Sequence, residues 1–226
     1  MWKRIAKILF GIVLIPFCLG YTWQFVATVL TVRYKPDTPY YFFAGALAYL
    51  TLHLLFKKPI FTYVIGHELT HALFAMLFGG SIKSIQASVR GGRVTISKSN
   101  FIITLAPYFF PLYTFIAMLF YWIACATDVH GIAIDILIFL SGVTFAFHIV
   151  LTLIFLQTDQ NDIREHGQVF SYPLIYLFNI GFGSFLIYVF LAENMDYLIF
   201  LAGGIIKTFT MTSVLLQRLL VAIHIV

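Results

Sequence analysis

Residues 60–80 read IFTYVIGHELTHALFAMLFGG, an apolar segment with an ionisable triplet near its centre. About 20 apolar residues are enough to span a bilayer as a helix, and the closing Gly-Gly pair is a strong helix stop. Residues four apart lie on one helix face, so His67 and His71 can direct nitrogens at one metal ion. Glu68 lies beside them, where it could hold a water and accept its proton. Ionisable groups inside a membrane span are costly and are normally retained for function, so this stretch predicts a hydrolytic metal site within a membrane helix.

The composition of the whole chain agrees with a membrane location. Of the 226 residues, 61% are hydrophobic and only 10% are charged, and the mean hydropathy is +0.95. A water-soluble domain of this length does not have such a composition. The net charge of +5 comes from basic residues scattered among apolar runs, which does not resemble the clustered charge of a nucleic-acid-binding surface. The sequence therefore excludes a nucleic-acid partner and indicates the lipid bilayer as the surroundings.

Apolar runs of membrane-spanning length recur along the chain. Pro107 and Pro111 fall inside one run and are expected to bend its helix. The runs cover residues 5–30, 40–56, 60–78, 101–124, 132–156, 171–191 and 197–220. They predict an all-α integral membrane protein with six or seven transmembrane helices, organised as a single polytopic domain over residues 1–226.

Residues 81–100 interrupt this pattern. They are polar and basic, and apolar residues alternate with polar ones on both sides of Gly91 and Gly92. Alternation with a period of two around a glycine pair is typical of a β-hairpin. We expect a short, membrane-associated hairpin directly after the HELTH helix.

A catalytic zinc ion takes three protein ligands and leaves a fourth position open, so the two histidines need a further partner. Asp159 and Asp162 are placed three residues apart at the end of a membrane segment. If that segment is helical, one could bind the metal while the other orients a histidine or the water. The remaining candidates are single residues elsewhere in the chain: His53, Asp135, His148 and His166.

The order of these features resembles the site-2 protease family of intramembrane zinc metalloproteases. The shared features are the HELTH helix, the Gly-Gly pair, the basic hairpin and a later membrane helix that ends in an aspartate. The run FHIVLTLIFLQTDQNDIREHGQVFS from Phe147 is similar to the small bacterial members described as peptidase-M50B-like. The resemblance covers a protease-like core of about residues 60–180.

The resemblance implies a ligand set, a substrate class and a location. It implies that His67 and His71 bind Zn²⁺, that Glu68 is the general base, and that a later aspartate is the third ligand. Better-known members place this aspartate in an Asp-Gly pair, which the sequence lacks; the phrase DIREHG favours Asp162, with Asp159 as the alternative. The implied substrate is a membrane protein or membrane-embedded peptide, and the implied location is a bacterial inner membrane.

Two other functions fit the same residues. A membrane transporter that binds zinc would need the histidines but not Glu68, which hydrolysis requires. A scaffold that retains the metal but has lost peptidase activity would keep all of them. The sequence favours the protease and leaves both alternatives open.

Overall fold

The computed structural model describes residues 2–127 and 131–222, which are mostly helical. The elements in chain order are α1 (Trp2–Thr31), α2 (Thr38–Leu55), α3 (Ile60–Leu77), β1 (Ile82–Ser88), β2 (Gly91–Ile96), α4 (Phe101–Phe109), α5 (Leu112–Ala126), α6 (Ile132–Leu156), α7 (Asn161–His166), α8 (Gln168–Leu186) and α9 (Tyr197–Ala222). A π-helical turn, Ile187–Leu191, extends α8. The predicted all-α class with one short hairpin is confirmed.

Five helices in the described part of the chain are long and apolar enough to cross a membrane: α1 from Arg4, α3, α6, α8 with its π-helical turn, and α9. Taken together, α4 and α5 are also long and apolar enough to cross a membrane, which gives a sixth candidate. The sequence predicted six or seven, so the two counts agree at six. The predicted seventh span is α2, which is not among these candidates because its polar first turn and His53 lower its hydropathy.

The α4–α5 pair is bent by 74°, so it is either a broken span or a re-entrant loop. The bend lies at Phe110 and Pro111, where Phe110 has an extended backbone with φ −102° and ψ 105°. A residue that precedes proline is pushed out of the helical region, so α4 ends at Phe109. The predicted bend is thus confirmed at Pro111, while Pro107 lies within α4 without breaking it.

The chain divides into two compact units, residues 35–165 and residues 1–34 with 166–226. In the first unit, an aromatic cluster of Tyr49, Tyr63 and Phe147 packs around Leu151. The backbones of α2 and α6 approach so closely that a side-chain carbon at Gly142 would collide with the Phe42 carbonyl. Helix α6 is thus closely packed against α2 and α3.

The second unit contains α1, α8 and α9. A side chain at Gly11 would collide with the Val169 carbonyl of α8, and one at Gly20 with Thr208 of α9. Arg33 Nε lies 2.6 Å from the Glu193 carboxylate just beyond α8. The prediction that residues 1–226 form a single polytopic domain stays a prediction.

The predicted hairpin is present, and its strands are antiparallel with Ser88 opposite Gly91. Its turn therefore consists of Val89 and Arg90, which directly precede the glycine pair around which the sequence pattern alternates. Gly91 has a φ of +138°, a value that favours glycine. Gly91 and Gly92 are thus the first two residues of β2, and neither belongs to the turn.

Candidate metal centre

The two histidines of the HELTH motif lie one turn apart on α3, with their Nε2 atoms 3.2 Å from each other. Tyr63, one turn earlier, packs its ring 6.0 Å from that of His67. Tyr63 is itself held by Phe155 of α6 at 4.4 Å between ring centroids. The helical spacing and this aromatic packing together direct both imidazoles to the same point.

The orientation of His71 follows from a proline in α4. Pro107 has no backbone N–H, so the Ile103 carbonyl, four residues earlier, lacks its usual helical partner. That carbonyl accepts a hydrogen bond from His71 Nδ1 at 2.9 Å. Because a carbonyl can only accept, Nδ1 carries the proton and the lone pair of a neutral ring is on Nε2. Backbone hydrogen bonds of this kind commonly orient metal-binding histidines.

Asp162, in the short helix α7, completes the group. Its Oδ2 lies 3.3 Å from His67 Nε2 and 3.4 Å from His71 Nε2. Burial disfavours the charged carboxylate, but the two imidazoles, where Nε2 carries a proton, donate to it and hold the pKa of Asp162 well below its usual range. Asp162 is therefore an anion at neutral pH.

The donor atoms fit a divalent metal ion. Among the described residues, His67, His71 and Asp162 form the one group of histidine, cysteine or acidic side chains close enough to share an ion. Zinc lies about 2.0–2.2 Å from nitrogen and oxygen ligands, which in a tetrahedron places neighbouring ligand atoms about 3.3–3.6 Å apart. The observed separations of 3.2, 3.3 and 3.4 Å lie at the short end of this range.

Tyr108 of α4 also belongs to the site, and the sequence reasoning missed it. The residue is fully buried, and its hydroxyl donates to Asp162 Oδ2 at 3.0 Å. Its ring meets that of His67 edge-on, with centroids 5.1 Å apart. A tyrosine beside a proline in an apolar run is a weak signal in a chain with 13 tyrosines. Only the fold brings Tyr108 to the carboxylate.

Glu68 is almost fully buried, with 6% of its surface exposed, and the hairpin covers it. A side-chain carbon at Gly92 would lie 2.5 Å from Glu68 Cγ, so any other residue there would push the Glu68 side chain aside. The backbone of Val94 interacts with the Glu68 carboxylate. Close contact with an acidic side chain thus favours glycine at position 92.

A cavity of about 470 Å³ adjoins the three ligand candidates and Glu68. Its wall on the hairpin side includes Arg90 and Arg93, and its opposite wall includes Asp159 and Glu165. This polar lining makes the cavity suitable for water and for a peptide backbone.

The other candidates from the sequence lie outside the group of three. Asp159 lines the cavity but pairs with Arg164 at 3.0 Å, with 68% of its side chain exposed. The others have different neighbours: His53 is bonded to Tyr49, Asp135 interacts with Tyr41, and His166 is bonded to Lys7 within the second unit. His148 is buried in α6.

The fold and the site define a membrane protein with a metalloprotease-type histidine pair on a membrane helix. Comparison with protein families gives a match to the model described as Peptidase M50B-like over residues 40–158, more than half of the chain. The chain therefore belongs to the Peptidase M50B-like family, and so to the membrane metalloproteases of the site-2 protease group. No curated protein and no solved structure matches it. Because the family match ends at residue 158, only the geometry supports Asp162 as a ligand candidate.

Replacing Tyr108 with phenylalanine tests the hydrogen bond that the Tyr108 hydroxyl donates to Asp162. We expect Tyr108→Phe to weaken zinc binding about 10-fold, because outer hydrogen bonds to metal ligands typically contribute 10- to 100-fold to affinity. Zinc affinity is measured by competition with a chromophoric chelator on protein purified in detergent. The matched control is Tyr49→Phe, which removes a hydroxyl bonded to His53 instead. Equal affinities for both variants and the wild type would contradict the role of Tyr108.

Proposed function

We propose that this protein is an intramembrane zinc metalloendopeptidase. In this proposal His67, His71 and Asp162 hold the zinc ion, and Glu68 is the general base. The single observation that supports it most directly is the meeting of three metal-binding atoms within 3.4 Å beside a buried glutamate. The family match supports a protease independently of that geometry.

Bound in such a site, zinc lowers the pKa of water and polarises a carbonyl group as a Lewis acid. The residues of the chain then have separate tasks. The Glu68 carboxylate takes the proton of the attacking water and passes it to the nitrogen that leaves the cleaved peptide bond. The Val94 backbone, in contact with that carboxylate, orients it. The 470 Å³ cavity admits water to a site on a membrane helix.

The substrate must present an extended segment. A peptide bond within a membrane helix is hydrogen-bonded and shielded from attack, so the helix has to unwind locally. The outer edge of β2 can receive such a segment as an added strand. Ser97 N–H donates to the Ser81 carbonyl, so the alternation of an antiparallel ladder directs the Ile96 N–H away from β1. Ile96 also lines the cavity. We therefore propose a membrane protein or peptide as the substrate and the β2 edge as its binding site.

The two alternatives differ from this proposal in what they require of Glu68. A zinc transporter or an inactive scaffold does not use a proton acceptor beside the metal. The hairpin contacts Glu68, which favours a carboxylate held in position as a base. Burial of a carboxylate costs free energy, which a function or a partner must offset. A bacterial inner membrane remains our proposed location.

Substitution of the base separates chemistry from metal binding. We expect Glu68→Gln to retain zinc and to lose at least about 100-fold in cleavage rate, the usual contribution of a general base. The assay reconstitutes the zinc-loaded protein in liposomes with a pool of single transmembrane segments and identifies products by mass spectrometry. Equal product yields from wild type and Glu68→Gln would contradict the assigned role. An absence of products from zinc-loaded wild type would favour the inactive scaffold.

A proline in β2 tests the strand-addition site. Ile96→Pro removes an N–H that the hairpin does not use, and we expect kcat/KM to fall about 10-fold, as for the loss of one hydrogen bond, with zinc content unchanged. Ile96→Ala, the control, removes the side chain but keeps the N–H and should lose less than about threefold. Val94 is a poorer choice because its backbone interacts with Glu68. Unchanged cleavage by Ile96→Pro would rule out strand addition at this position.

A further inference from the structure

One polar atom of the metal centre has no hydrogen-bond partner among the described residues. His67 Nδ1 is buried, and among the residues that the structure describes none makes a hydrogen bond to it. His67 Nε2 faces Asp162 and His71, so in a neutral ring that donates its lone pair there, Nδ1 carries the proton. The equivalent atom of His71 is satisfied by the Ile103 carbonyl. A buried N–H donor without an acceptor loses its hydration and gains nothing in return.

His67 also lines a second, much smaller cavity. This cavity has a volume of about 20 Å³ and is formed by residues of α3, α4, α5 and α6 with the Phe110–Pro111 bend beside it. A site for one water needs about 10–15 Å³ on the same scale and two to four polar partners. Five polar side chains besides His67 line the cavity: Tyr63, Thr70, Tyr113, Thr144 and His148. Its size and lining fit one water molecule.

Three hydroxyl groups around this cavity already donate their protons to backbone carbonyls. Thr70 donates to the Gly66 carbonyl at 2.7 Å and Tyr113 to the Thr62 carbonyl at 2.8 Å. Thr144 donates to the Leu140 carbonyl at 2.8 Å. Their oxygens can therefore act only as acceptors towards the cavity. A water there can accept the His67 N–H and donate both of its own protons.

His148 is the strongest acceptor in this lining, because the unprotonated nitrogen of a neutral imidazole is far more basic than a hydroxyl oxygen. It is 94% buried, at 6% exposure, within the apolar helix α6.

We propose that the small cavity holds one ordered water, which accepts the Nδ1–H of His67 and donates to His148. His148 is then a positioning residue: it does not touch the metal but fixes the ring of the first ligand through the water. The inference rests on the proposed function, because it requires His67 Nε2 to be a metal ligand. It adds a polar group of α6 to the support of the site, beside the packing of Phe155 on Tyr63.

The test compares zinc affinity in two variants of His148. Outer partners of metal-binding histidines contribute 10- to 100-fold to affinity, so we expect His148→Leu to bind zinc about 10- to 100-fold more weakly than wild type. His148→Gln keeps an acceptor and should bind within about threefold of wild type. Ser141→Ala is the matched control, since Ser141 is fully buried on the same helix. Affinities come from chelator competition, and the visible spectrum of cobalt-substituted protein reports the ligand geometry.

The outcomes separate this inference from the proposed function. Wild type that binds no zinc overturns the proposed function and this inference with it. Wild type that binds zinc, with His148→Leu unchanged in affinity and cobalt spectrum, overturns this inference alone. Equal weakening in His148→Leu and His148→Gln also overturns it, because a packing role would do the same. If His148→Leu does not fold, an experimental wild-type structure that resolves waters decides: density about 3 Å from His67 Nδ1 supports the proposal, and an empty cavity overturns it.

Discussion

Three electron-rich atoms, two imidazole nitrogens and one carboxylate oxygen, meet within 3.4 Å of one another in the interior of this protein. Such a group is stable only with a metal ion or a proton between its atoms, because the lone pairs would otherwise face each other in a medium that screens them poorly. Much of the surrounding structure serves to hold it. The helical spacing of α3 sets the two histidines, a carbonyl released by Pro107 orients one of them, and Tyr108 donates to the aspartate.

A site of this kind in a membrane protein faces two opposing requirements. Its donors must be buried to remain ordered, yet in the proposed function water and an extended peptide have to reach them. The hairpin meets both requirements, since β2 lies against Glu68 on one side and lines the 470 Å³ cavity with the other candidate residues. Gly92 makes this possible, because any side chain there would displace the carboxylate that it covers.

Much of this arrangement follows from the sequence by simple periodicities. Hydropathy gives the apolar helices to within a few residues, and the limits of α6 agree at both ends. The i, i+4 spacing identifies the histidine pair. The pattern could not separate Asp159 from Asp162, because it treated the segment as one helix, whereas Asp159 lies in the link before α7 and pairs with Arg164, and only Asp162, on α7, faces the histidines. Nor could it find Tyr108 or the contact of Gly92, which depend on packing between α4, the hairpin and α3. Hydropathy placed α2 among the membrane spans because residues 40–56 are apolar on average. The polar residues in the first turn of α2 leave the whole helix outside the set that is apolar enough to cross a membrane.

The identity of the third ligand is the claim on which the account depends most, since Asp162 lies beyond the family match and is supported by geometry. The direct measurement is zinc content by elemental mass spectrometry on detergent-purified protein after reconstitution with zinc. Wild type, Asp162→Asn and Asp159→Asn are compared. The account predicts about one zinc per chain in wild type and in Asp159→Asn, and little or none in Asp162→Asn. Full zinc occupancy in Asp162→Asn, or no zinc in wild type, would contradict it.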